Sequence, residues 1–128
     1  MTFRYSPPSR RPNLAGWALA NGKSFDFVGV VDSGADHAIF PFSAASALGI
    51  DPMAGDPHVC RGASGQSVVY LVPLTLAFAF GSFAAQVGFA ETAPETVLWG
   101  QTGLFDFARI TMDRRAGIFT IEPYGDRD

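Results

Sequence analysis

Cysteine is nearly absent from this sequence, with one, Cys60, in 128 residues. A lone thiol closes no internal disulfide, so a disulfide scaffold is excluded and a reducing compartment is expected. Basic residues are also few. Nine Lys and Arg stand against twelve Asp and Glu, for a net charge of −3, which removes the basic face that nucleic-acid binding needs. No basic start precedes a short apolar segment, so no secretory signal is expected. The longest apolar stretch, VVYLVPLTLAFAF at 68–80, holds 13 residues and contains Pro73. That is too short for a membrane span. These absences point to a soluble, cytoplasmic protein with no nucleic-acid or membrane partner. Histidine is scarce too, limited to His37 and His58. With Asp36 and Cys60 they offer metal-ligand chemistry, but their spacing fits no structural zinc pattern, and no metal or other cofactor is expected. A nucleophile elbow at Ser64 would need glycine where Gln66 stands, and no phosphate-loop or dinucleotide fingerprint occurs.

What is present favours strands. Apolar residues make up 48% of the chain, twelve of them Phe, enough for one packed domain. Residues 14–31 read as a hairpin, LAGWALA and SFDFVGVV around Asn21-Gly22, the dipeptide that a tight hairpin turn favours. PFSAASAL at 41–48 reads as a short helix, with Pro41 in its first turn and Gly49 ending it. CRGASGQS at 60–67 is a small-residue hairpin tip, expected to be mobile. Val68–Phe80 reads as a strand in which Pro73 marks a bulge, an edge or a break. A turn at Gly81-Ser82, a strand at Phe83–Ala90 and a short buried strand in TVLWG follow. TGLFDFA suggests one or two helical turns, and RITMD and IFTIEP a closing hairpin around Arg114–Gly117. The domain is expected at 14–124, after a flexible, Pro- and Arg-containing arm at 1–13 and before a tail at 125–128. The fold class is all-β, a closed barrel with one or two short helices.

The chemistry concentrates in FVGVVDSGADHAIFP at 27–41. An apolar strand delivers Asp32 at its end, Ser33 offers a hydroxyl, and Gly34 lets backbone N–H groups approach the carboxylate. Such a triplet arises by chance in roughly one chain in twenty of this length. The plain alternative for Asp32 is a turn aspartate bonded to its own backbone, and Asp36 could likewise be a solvated loop acid. The 12 Phe and both Trp are more often core than pocket.

The order of motifs resembles the retropepsin-like aspartic proteases, the single-lobe family that includes the retroviral proteases. VVDSGAD resembles the family's catalytic signature, RGASGQ falls where its flap lies, and VLWG resembles its apolar-apolar-Gly motif; the likeness spans about residues 20–123. The resemblance implies an acid-protease barrel and a cofactor-free aspartic endopeptidase acting on peptide or protein substrates. It implies that Asp32 is the catalytic acid and that Ser33 bonds across to a partner's turn. Gly34, Ala35 and Asp36 would contact substrate, and Gly62, Ala63, Ser64 and Gly65 would form the flap tip. Leu98, Trp99 and Gly100 would support the site, Gly100 letting its strand cross close behind the turn. One such turn per chain implies a homodimer with an Asp32/Asp32′ dyad, because a single carboxylate cannot act as base and acid together. Retroviral members carry Arg and then Asn or Asp after the second motif, and the arginine pairs with the acid matching Asp36. Gln101 and Thr102 stand there in this sequence, so a weaker dimer is expected, with Arg4, Arg10 or Arg11 as possible stand-ins. The alternatives are a weakly active or inactive dimerisation and peptide-binding module of the same fold, and a barrel in which the DSG turn is incidental.

Overall fold

The structure, a computed structural model, describes residues 1–62, 65–91 and 96–125. A short strand, β1 (Thr2–Arg4), opens the chain, and β2 (Asn13–Ala20) and β3 (Lys23–Val31) form the first long hairpin. In β2, Leu14, Gly16 and Ala18 are buried while Ala15, Trp17 and Leu19 are exposed, the period of two of a half-buried strand. Asn21 and Gly22 turn the chain with φ of 54° and 69°, as a two-residue hairpin requires.

After β3 come β4 (Ala38–Pro41), a six-residue helix α1 (Phe42–Ala47) and a 3₁₀ turn at Pro52–Ala54. Two hairpins follow, β5 (Asp56–Gly62) with β6 (Gly65–Phe78), and β6 with β7 (Gly81–Ala90). Then come β8 (Val97–Trp99), a helical turn at Gln101–Phe105, and β9 (Ala108–Asp113) with β10 (Ile118–Pro123).

Six strands close into a barrel in the order β2-β3-β8-β4-β7-β6, and β6 returns to pair with β2. Most neighbours are antiparallel, but β3–β8 and β4–β7 are parallel. β5 lies outside the ring as the outer strand of its hairpin. Pro73 interrupts nothing. β5 pairs with β6 only as far as Leu71, and β2 takes up that side from Thr75. The proline falls in the gap between partners, the local edge where a missing N–H costs least.

The N-terminal segment departs from the expected flexible arm. β1 pairs with β10, Thr2 opposite Thr120, in a separate three-stranded sheet, β1-β10-β9. The terminal amine donates to the Ile121 carbonyl at 2.8 Å, and Phe3 stacks on buried Phe119 at 5.3 Å. No local signal marks β1, because its partner lies at the other end of the chain.

Inside the barrel Trp99, Phe40, Phe89, Leu48 and Leu76 are fully buried, each contributing about 1.5–3 kcal/mol of apolar burial. The Trp99 indole N–H donates to the Leu14 carbonyl at 2.8 Å, so its polar atom is satisfied despite complete burial. Phe78 and Phe40 meet the indole edge-on at 4.9 and 5.8 Å. Gly29 makes the room: a Cβ there would lie 2.7 Å from the indole nitrogen. Trp99 thereby anchors β8 along β3, and β8 carries the next part of the site.

Candidate active site

β3 ends at Val31 opposite Trp99, and the parallel ladder runs one bond further, from the Asp32 N–H to the Trp99 carbonyl at 3.0 Å. Asp32 is thus delivered by a core strand but is itself only half-buried, while Ser33 and Gly34 are exposed. Its Oδ1 accepts from the Gly34 N–H at 2.9 Å, and its carbonyl accepts from the Ala35 N–H at 3.2 Å. The side-chain bond is the contact a turn aspartate makes. It also fixes the carboxylate's orientation, so the plain and the chemical readings of Asp32 meet in one hydrogen bond.

The turn is held from behind. Ala35 is buried, and its carbonyl accepts from the Gln101 N–H at 2.9 Å, while the Asp36 carbonyl accepts from the Thr102 N–H at 3.1 Å. Gly100 makes this approach possible. A Cβ there would meet the His37 and Ala35 carbonyl oxygens, the latter at 2.5 Å, so no larger residue fits. Gln101 Nε2 donates to the Ser33 carbonyl at 2.7 Å. From Gly100 the chain enters a widened helical turn, with the Asp106 N–H reaching back five residues to the Gln101 carbonyl at 2.9 Å.

Residues 18–102 match the family described as aspartyl protease. The chain belongs to that family. Its fold is that of retropepsin-like proteases. A retropepsin-like aspartic protease from Rickettsia conorii superposes with a TM-score of 0.68 at 15% identity, over 93% of this chain and 95% of that one. EIAV protease, complexed with the inhibitor HBY-793, gives 0.56 at 17% identity, over 75% of this chain and 86% of its own. No curated protein matches.

Within this aspartyl-protease fold the sequence-derived residues divide into two groups. The Asp32–Asp36 turn is bonded to Trp99, Gln101 and Thr102 with Gly100 pressed close behind it, and Leu98 pairs with Ile39 beside them. Gly62 and Gly65 face each other at the end of the β5–β6 hairpin. Ala63 and Ser64, expected in the flap tip, lie outside the described residues. Arg10, one stand-in considered for the missing arginine, donates instead to the Arg114 carbonyl at 2.7 Å.

His37 and His58, far apart in the sequence, also come together beside the turn. The His37 and His58 rings meet edge to face with centroids 5.1 Å apart. His37 Nδ1 is 2.9 Å from the Thr102 hydroxyl, which in turn is 3.4 Å from the Gln86 carbonyl. Burial first, and His58 second, push the His37 pKa below its ordinary value, with Asp36 pulling it back. Burial, then Asp36, pushes the Cys60 thiol up. Cys60 also packs against the cluster of Ile39, Val69 and Ala90. The only signal in the sequence is that His58 and Cys60 are two apart on a strand and so share a face.

Proposed function

We propose that this chain is a homodimeric aspartic endopeptidase whose two Asp32 carboxylates form the catalytic dyad. The observation that supports it is Asp32 itself, a half-buried carboxylate oriented by the Gly34 N–H at the end of a core strand. Each chain supplies one such turn, and a second copy related by a two-fold axis supplies the other.

Two carboxylates at close range do not both ionise, so the dyad holds one proton and titrates as a unit. The ionised Asp32 takes a proton from a water molecule as its oxygen attacks the peptide carbonyl. The protonated Asp32′ gives its proton to the carbonyl oxygen, producing a tetrahedral diol. Proton transfer to the amide nitrogen then breaks the C–N bond and leaves an acid and an amine. Exposed Ser33 is free to bond across the two-fold axis, as the family likeness implies. Asp36 and Gly34 flank the place an extended peptide would occupy, and the β5–β6 hairpin would cover it, with backbone bonds giving affinity and pockets giving selectivity.

A mass-spectrometric digest of a diverse peptide library between pH 3 and 7 tests this. Wild type is expected to cut and Asp32→Asn to leave the library intact. Equal cutting by both proteins would remove Asp32 from the reaction. Dimers that bind peptide and cut nothing would make the chain a peptide-binding module.

A further inference from the structure

The two histidines come from parts of the chain that the barrel brings together. His37 follows the catalytic turn by five residues, and His58 lies on β5, the outer strand of the hairpin. Their rings touch edge to face at 5.1 Å, so they form one feature bridging hairpin and turn. Cys60, next on the same face of β5, packs against the small cluster of Ile39, Val69 and Ala90 and feels the charge of Asp36. That face of the hairpin therefore lies against the segment that follows the Asp32 turn, at His37 and Ile39.

The protonation of His37 is partly set. If the Thr102 hydroxyl spends its one proton on the Gln86 carbonyl, it can only accept from His37, whose Nδ1 then carries the hydrogen. Imidazoles gain charge as pH falls toward 5, and two cations at this distance repel unless an anion joins them. Among the described residues, Asp36 is the carboxylate whose charge His37 feels. With both rings protonated, His37, His58 and Asp36 together carry a net positive charge. With both neutral, only the negative charge of Asp36 remains.

We propose that His37 and His58 form a side-chain subsite that selects a substrate residue bearing a carboxylate, Asp or Glu. This rests on the endopeptidase reading, in which the peptide runs between hairpin and turn. Selection strengthens as pH falls while the substrate acid is still ionised, and half-buried His37 gains its charge later than a free imidazole would. It fades as pH rises, because a neutral imidazole does not attract a carboxylate and Asp36 repels one.

The test uses peptides of one sequence with Glu or Gln placed at each position in turn. At one position wild type is expected to favour Glu over Gln by about fivefold in kcat/KM at pH 5, the size of a partly exposed ion pair. The ratio should fall to about one at pH 7. It should also fall to about one at pH 5 in His58→Gln and in His37→Gln, whereas His58→Lys should carry the preference up to pH 7. Binding of the same peptides to Asp32→Asn, followed by fluorescence anisotropy, separates the subsite from the chemistry. Equal binding of Glu and Gln peptides at pH 5 overturns the subsite whether or not wild type cuts. Glu-selective binding with no cleavage by wild type sinks the endopeptidase reading and leaves the subsite standing.

Discussion

At the scale of single residues, hydrogen bonds that cross the site carry more information than exposure does. Gln101 and Thr102 stand where retroviral relatives carry Arg and then Asn or Asp, yet both are engaged, Gln101 on the Ser33 carbonyl and Thr102 on His37. The substitution trades a charge for tethers within one chain. His37 also makes stability depend on pH. Its pKa is lowered by folding, chiefly through burial and then through His58, so the unfolded chain binds the proton more readily than the folded one. The contribution is therefore full above the unfolded value. It is lost as pH falls through the folded value, and below both values nothing further changes. Melting temperatures measured from pH 7.5 to 5 should fall less steeply for His37→Gln than for wild type. Superimposable profiles would mean that His37 does not resist protonation in the folded chain.

At the scale of elements, the Asp32 turn and β8 form one unit, and Gly100 is the joint between them. Its missing side chain leaves room for two backbone carbonyls, and one of these, Ala35, is already bonded to Gln101. The Ala35 oxygen cannot move aside without breaking that bond. Gly100→Ala should cost about 3 kcal/mol, the upper part of the range for overpacking. Gly125→Ala, with open space around it, should change little. Urea unfolding of both variants measures this, and an unchanged midpoint for Gly100→Ala would show that β8 does not press on the turn. Elements whose cause is local were legible in the sequence. Asn21-Gly22 marked the first hairpin, Pro41 and Gly49 bounded α1, and VVDSGAD with VLWG located both halves of the turn. Features set by distant partners were not. β1 exists only because β10 lies beside it, Pro73 is harmless only because β6 changes partners around it, and His37 meets His58 only once β5 folds back. Nothing in the residues next to these positions encodes those contacts.

At the scale of the whole molecule, the proposed activity depends on how firmly two copies hold together. The proposed dyad needs both chains, so activity follows the dimer and not the total protein. In the retroviral relatives an arginine after the second motif pairs with the acid matching Asp36 and helps hold the dimer. This chain has Gln101 there, and its amide is already spent on Ser33 of the same chain. Asp36 is exposed, and its backbone carbonyl is bonded to Thr102 of the same chain. Dissociation should therefore begin at concentrations well above nanomolar, and specific activity should rise with enzyme concentration until dimers dominate. Gln101→Arg would place a guanidinium where the family's arginine stands and should lower the dissociation constant by about tenfold, equivalent to about 1.4 kcal/mol. Sedimentation velocity and activity measured over the same dilution series test both statements. A wild-type dimer that persists at nanomolar concentration with constant specific activity would show that the dimer is held by contacts elsewhere and that Gln101 has no bearing on it.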